Sequence, residues 1–346
     1  MTAKAFKELG LRVTRATITA TVRQKRRSGI LYNATRLRHE LQLLDENPEA
    51  VLPEPQLTVS KFQDICLATP EEMEDELGKS YSTYGEDSTI LITRSNRRAL
   101  DFNLAIRRQI FDREEILVKG DRLLISKNNY YWPNRHRQQL KEEAAKNNRP
   151  GIQMGVEMWM LEQPQVLSRH DLTPQAPAIR SGAATIPVPG FLANGEIAIV
   201  EEVTSTETRD MMLFADVMLY LPDSGARLSA KVNLSSLTTE GAGIPREQLE
   251  ALGRHTLLDA GYYYGPPLAQ RDTLRACPYF NALQVKYAYA VTCHKAQGGQ
   301  WDSVFIDMGY IPPEAYHSKD FYRWLYTSVT RATRRLTLLS PACRIL

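Results

Sequence analysis

The residues best suited to phosphate chemistry lie in one stretch, YAYAVTCHKAQGGQWDSVFID at 287–307. A buried apolar strand is expected to end at Thr292, turn through polar residues and paired glycines, and enter a second strand. Strand ends of this kind are where open α/β sheets place ligands. The Thr292 hydroxyl, His294, the Lys295 ammonium and the backbone N–H groups of the turn all suit phosphate oxygens. On those residues alone, a satisfied loop explains the segment equally well.

Two other stretches imitate nucleotide motifs. LGKS at 77–80 ends like a phosphate loop, but the glycine required six positions before Lys79 is Met73, and the preceding EMEDE is acidic. Negative charge there repels phosphate, and no strand leads into the turn. LQLLDE at 41–46 offers Asp45 as a magnesium ligand, yet it completes an amphipathic helix and precedes LGKS where a motor would place it after. By these residues the chain has no means of cradling ATP and magnesium alone.

The elements that must hold the 287–307 stretch follow from patterning. SGILYNATRLRHELQLL (28–44) has helical apolar spacing with Ser28 as its cap, and PEEMEDELGKSYSTYG (70–85) reads as a second, acidic helix. STILITR (88–94), the helix SNRRALDFNLAIRRQIF (95–111) and GDRLLISKN (120–128) then read strand, helix, strand, which implies a parallel α/β unit. Residues 132–188 are Pro-rich and read as an irregular insert with one charged helical piece, RQQLKEEAAK. NGEIAIVEEV, MLFADVMLYL and GARLSAKVNLSSL alternate apolar and polar residues, with a PDSG turn, and predict an all-β meander closing into a small barrel. The α/β pattern returns in KYAYAVT (286–292), SVFIDMG (303–309), the helix SKDFYRWLYTSVTRATRRL (318–336) and a final strand, LTLLS.

Composition sets the outer limits. With 43 Lys+Arg against 40 Asp+Glu in 346 residues the net charge is +3, so neither a polycation nor an acidic tail protein is expected. The length suggests about two domains. The most apolar segment, 211–221, carries Asp216 in its middle, so no membrane span is expected. Four cysteines without a CxxC pair argue against a disulfide framework or zinc ribbon and fit a reducing cytosol. No metal site is expected. Lys25, Arg26, Arg27, Arg94, Arg97, Arg98, Arg107 and Arg108 gather basic charge in the α/β part, as either a solvated face or a groove that tracks nucleic acid.

T-x-H-K-x-Q-G at 292–298 resembles motif V of the superfamily 1 helicases in the 5′-to-3′ branch, the group that contains the RecD-like alpha subunit of exodeoxyribonuclease V. WLYTSVTRATRRL (324–336) resembles their motif VI, ILITRSNRRALDFN (90–103) motif IV, GDRLLISKN motif IVa, and TVRQKRRSGIL (21–31) the arginine-bearing stretch after motif III. Five matches in the family's order make the resemblance specific. It implies a RecA-like α/β domain of the P-loop NTPase type, with a parallel sheet and an SH3-like all-β insertion. The corresponding boundaries are a 1–60 linker and helix region, motor parts at 61–131 and 285–346, the insert at 132–188 and the barrel at 189–284.

The same resemblance implies the roles. Arg331 and Arg23 match arginines that reach the γ-phosphate of ATP, and Gln297 and Gly298 shape the nucleotide-side turn. A finger of this kind is worth on the order of 10³ to 10⁵ in rate. Thr292, His294 and Lys295 match the part of motif V that lines single-stranded DNA, and Ser95, Asn96 and Arg97 match motif IV, where Ser95 serves equally well as a plain helix cap. Arg334 and Arg335 are expected on the same helix as Arg331, answering its C-terminal dipole. Tyr262, Tyr263, Tyr264 and Tyr279 read as core aromatics or as base-stacking groups near the barrel. Gln300 stands where many relatives carry an acid. The implied activity is ATP-dependent DNA helicase, with this chain as the C-terminal motor half. ATP and Mg2+ are bound with a first motor domain that carries the P-loop, and nuclease or repair subunits are implied partners in a cytoplasmic, nucleoid-associated setting. A non-catalytic nucleic-acid-binding module descended from a helicase is the alternative.

Overall fold

The computed structural model describes residues 10, 28–46, 52–146, 178–181, 184–241, 243–339 and 343–346. Arg23 and the arginine-bearing stretch at 21–27 lie outside them, as does most of the insert from 147 to 177.

The first element among the described residues is helix α1 (Gly29–Glu46), started as the sequence predicts: Leu31 N donates to Ser28 Oγ at 3.2 Å. Strands β1 (Gln56–Leu57) and β2 (Ile65–Ala68) precede helix α2 (Met73–Tyr84), strand β3 (Thr89–Thr93) and helix α3 (Asn96–Ala105), which runs on into a π turn at Ile106–Ile110. LGKS is thus part of helix α2, where Lys79 pairs with Glu76 at 2.8 Å and no loop is available to wrap a phosphate.

Strand β4 (Arg122–Ile125), helix α4 (Tyr131–Lys146), the hairpin β5 (Ala178–Ser181) and β6 (Ala184–Pro187), and the long strands β7 (Ile197–Arg209), β8 (Met212–Leu221) and β9 (Ala226–Asn233) follow. Two helices, α5 (Arg246–Asp259) and α6 (Pro267–Ala276), lead to β10 (Leu283–Tyr287) and β11 (Ala290–Thr292). The chain finishes with β12 (Trp301–Asp307), helix α7 (Lys319–Val329), β13 (Ala332–Leu339) and β14 (Arg344–Ile345).

Two β assemblies organise these pieces. The five-stranded sheet β11-β3-β12-β13-β2 is parallel throughout, as expected of strands joined by helical crossovers, and it is compatible with a RecA-like domain. Strand β3, TILIT, lies between β11 and β12 and is buried on both faces. Ile90 and Ile92 face a core completed by α1 and α7, while Leu91 and Phe305 face the core shared with α2 and the barrel. The second assembly is a closed barrel in the order β10-β4-β7-β8-β9. The β7–β8 hairpin turns through Asp210 and Met211, both at positive φ, which matches the twist of a two-residue hairpin.

Several expectations change. GDRLLISKN is not a strand of the parallel unit: β4 pairs antiparallel with both β7 and β10 inside the barrel. KYAYAVT is not one strand, since β10 belongs to the barrel and β11 to the parallel sheet, with the switch at Ala288 and Tyr289. The helix expected over 318–336 stops at Val329, so Arg334 and Arg335 sit in β13 rather than on a helix. In the insert the expected helical piece RQQLKEEAAK is the end of α4, and the β5–β6 hairpin is an element the sequence does not predict.

One ionic cluster fixes the barrel to the parallel sheet. Asp121, immediately before β4 and fully buried, accepts from Arg107 Nε at 2.9 Å and Arg107 Nη2 at 2.8 Å, from Val118 N at 2.9 Å and from the Tyr289 hydroxyl at 3.1 Å. Arg113 adds a longer contact at 3.4 Å, and the Arg107 guanidinium also lies 4.4 Å from the centre of the Tyr287 ring. Both passages of the chain between the two assemblies, at 111–121 and at 287–290, therefore meet at one carboxylate. Arg107, only 3% exposed, is no part of a DNA-facing surface.

Candidate functional site

The site residues fall at opposite ends of the strands of the parallel sheet. At the end where β11 and β3 finish, Thr292 is in register with Thr93, and Cys293 N donates to Thr93 O at 3.2 Å. The chain then turns tightly: Lys295 N and Ala296 N both donate to Thr292 O, at 2.9 and 3.1 Å. Beside it, α3 starts with Ser95, whose hydroxyl accepts from Arg98 N at 3.2 Å. The cap role of Ser95 is thus present in the geometry. Asn96 and Arg97 are exposed in the first turn, while Arg98 is tied to Asp307 at the end of β12 by a bidentate pair, with Nη2 to Oδ1 at 2.7 Å.

Asn103, a buried amide on the inner face of α3, fixes the start of β11. Its Oδ1 accepts from Tyr289 N at 3.0 Å and Ala290 N at 2.8 Å, and its Nδ2 donates to Ala290 O at 2.7 Å. Sequence reading passed over this residue, although an amide at the apolar spacing of a helix is the signal that could have found it.

A groove opens between α3, β11 and the barrel, lined among others by Asn96, Thr292, Lys295, Lys286, Thr239 and Glu240. Thr292, Lys295 and Asn96 thereby come together, and His294 sits exposed on the same turn. Arg97 lies at its rim, 3.8 Å from Glu240 across the gap. Lys286 was not foreseen as a site residue; its signal was an outward polar position in the alternation of β10. All three of its N–H groups are engaged by Ser236 O at 2.6 Å, Thr239 O at 2.5 Å and Thr239 Oγ1 at 2.6 Å. Lys286 therefore brings its charge to the groove wall with its N–H groups already engaged, whereas no hydrogen-bond or ion-pair partner of the Lys295 ammonium is found among the described residues. Burial and the nearby Lys295 push Lys286 down to about 8, and burial lowers Lys295 as well.

The opposite end of the strands holds the turn glycines and Arg331. After Lys295 the chain crosses to the start of β12; Gln297 and Gly298 are exposed, Gly298 has φ +89°, and a side chain on Gly299 would collide with the Trp301 ring. Those two positions explain the paired glycines. Helix α7, capped by Ser318 Oγ accepting from Phe321 N at 3.1 Å, buries Phe321, Tyr322, Leu325 and Val329 and ends one residue before Thr330. Arg331 occupies the turn between α7 and β13. Its guanidinium donates to Gly299 O at 3.0 Å, Thr327 O at 3.0 Å and Thr330 Oγ1 at 3.1 Å, and its carbonyl accepts from Trp301 N at 3.0 Å. Arg331 and the Gln297–Gly299 turn are thus one unit. Arg334 and Arg335 pair with Asp302 at 3.4 Å and Glu76 at 3.2 Å instead of with a helix terminus.

The tyrosines separate. Tyr279 packs edge-on against Phe214 beside the barrel and donates its hydroxyl to Glu207 at 3.0 Å, whereas Tyr262, Tyr263 and Tyr264 lie between α5 and α6.

Residues 287–339 match the family of the UvrD-like helicase C-terminal domain, which supports a superfamily 1 helicase C-terminal region. The match holds Thr292, His294, Lys295, Gln297, Gly298 and Arg331, and leaves Ser95, Asn96 and Arg97 outside it. No curated protein matches the chain.

Proposed function

We propose that this chain is the second RecA-like motor domain of an ATP-dependent DNA helicase, of the RecD-like, 5′-to-3′ branch of superfamily 1, with its barrel as the SH3-like insertion. The observation that carries the reading is that the two ends of the sheet's strands are joined by one eight-residue connection, 293–300: Thr292 and Lys295 at one end, Gln297–Gly299 bonded to Arg331 at the other. A movement of Arg331 on nucleotide binding would reach the DNA groove through that connection.

The residues present fit one side of an ATP site. Arg331 supplies a planar cation beside an exposed glycine turn, while the P-loop and the magnesium ligand would come from a first motor domain, since the sequence holds no G-x-x-x-x-G-K-[ST]. Bound ATP would supply the phosphoryl group to be transferred, the two domains closing around it and opening after its hydrolysis. Arg331 would stabilise charge on the transferred group, and Gln297 and Gly298 would form the wall of the cleft. Single-stranded DNA would lie in the groove at Thr292, His294, Lys295 and Asn96, with Arg97 at its rim.

Anisotropy with a labelled single-stranded oligonucleotide tests the groove. Binding weakens as pH rises from 7 to 9, with half of the change near 8, because Lys286 loses its charge there. Replacing Lys295 by methionine removes the like charge, moves that midpoint upward, and lowers the log–log salt slope by about 0.7. A pH-independent affinity, or an unchanged salt slope in Lys295→Met, would place the DNA elsewhere.

A further inference from the structure

Near one end of the barrel two large aromatic rings are left in solvent. Tyr130 is 55% exposed and Phe191 42% exposed, and their rings stack on each other with centroids 5.1 Å apart and planes 22° from parallel. They come from distant parts of the chain and are held rigidly. Asn129 and Leu192, their immediate neighbours, exchange both backbone hydrogen bonds, at 2.9 and 2.8 Å. Beneath them Leu192 and Trp132 are buried; Trp132 Nε1 donates to Asn281 O at 2.9 Å, and Trp132 N to Asn129 Oδ1 at 3.1 Å.

Helix α4 brings cations near the pair. Arg137 reaches Gly190 O, next to Phe191, at 3.4 Å, while Arg135, further off, donates to the Tyr131 hydroxyl at 2.8 Å and lies 5.6 Å from the centre of the Trp132 ring. Neither guanidinium meets a carboxylate among the described residues. Lone exposed aromatics are ordinary on protein surfaces. A preorganised stack of two, with fixed underpinning and two arginines nearby on α4 that have no counter-anion among the described residues, is matched to a planar ring that carries a phosphate.

We infer that Tyr130 and Phe191 form a stacking platform for a base of single-stranded nucleic acid, with Arg135 and Arg137 facing its backbone. The inference rests on the DNA-binding reading of the chain and assigns to the barrel a contact separate from the Lys295 groove. Tyr130 lies six positions along the chain from Leu124, the β4 residue in the groove wall, a span of at most roughly 20 Å at strand rise. One strand could occupy both places.

The test uses this chain with two labelled oligothymidylates of equal length, one intact and one with abasic sites along its length. Tyr130→Ala and Phe191→Ala are each expected to weaken binding of the intact strand by roughly tenfold, within the range of base–aromatic stacking. Tyr130→Phe is expected to bind as wild type does, and all variants are expected to bind the abasic strand equally. An alanine variant that binds the intact strand like wild type, or that loses the same factor on the abasic strand, overturns the platform. So does a wild-type dimer, seen by light scattering, that dissociates in Tyr130→Ala, because the rings would then be covered by a second copy. Failure of wild type to bind either strand would instead overturn the DNA-binding reading itself.

Discussion

Replacing Arg331 by alanine lowers ATP hydrolysis by at least about a thousandfold when the chain is joined to a P-loop motor domain, while single-stranded DNA binding changes little. The size of the effect follows from what the side chain would do. A guanidinium in a fixed position stabilises charge that develops only as the phosphoryl group transfers, so its loss falls on the catalytic rate and not on nucleotide affinity alone. Position matters as much as charge. Three hydrogen bonds, to Gly299 O, Thr327 O and Thr330 Oγ1, orient the planar head, and a lysine cannot reproduce that fork. Arg331→Lys is therefore expected to recover little of the rate. The measurement is steady-state hydrolysis beside thermal unfolding of the same proteins. A loss of activity matched by a collapse in melting temperature would mean that Arg331 only holds the α7–β13 turn.

The largest effect on stability is expected at Asp121. Asp121→Ala leaves Arg107, 3% exposed, as a charge in the interior without its counter-ion, and removes the acceptor for Val118 N and the Tyr289 hydroxyl. Breaking one partner of a buried pair costs about 3–5 kcal/mol. Asp121→Asn keeps an acceptor for one of these donors and should cost less. Urea unfolding of the chain reads both. Because the cluster joins both passages between sheet and barrel, Asp121→Ala should also separate their unfolding into two transitions. A single transition with less than about 1 kcal/mol lost would show that the barrel is held by its apolar contacts alone.

The parallel sheet was legible because β3 and β12 read as short apolar runs bounded by turns, and the cap at Ser28 and the glycines at 298–299 follow from local backbone needs. The barrel strands β7 to β9 were legible by alternation. The errors have a common cause in runs that serve two cores. Leu123 and Ile125 face the barrel interior while Leu124 faces the other core, so β4 is buried throughout and resembles a parallel strand. YAYA feeds two sheets in succession, and no periodicity marks the change at Ala288. T-R-A-T-R-R-L continues a helical spacing past Val329, yet β-branched Thr330 and Thr333 and the pairing of Ala332 with Trp301 carry it into a strand. Arg107 resembled a solvated cation because its partner Asp121 lies 14 residues away and only tertiary folding brings them together. In the site, Thr292, Lys295 and Arg331 were visible as residue types, whereas Lys286, Asn103 and the rim pair of Arg97 with Glu240 depend on how the barrel sits against α3.

The central claim is that the chain is half of a motor whose other half brings the P-loop. ATP hydrolysis, with and without single-stranded DNA, measured first for this chain alone and then with a superfamily 1 first motor domain fused ahead of it, tests that claim most directly. The account predicts no hydrolysis by the chain alone, DNA-stimulated hydrolysis by the completed protein, and loss of that activity in its Arg331→Ala form. Hydrolysis by the chain alone, or a completed protein whose hydrolysis ignores both DNA and Arg331, would contradict it; the latter would leave a nucleic-acid-binding module that works without ATP.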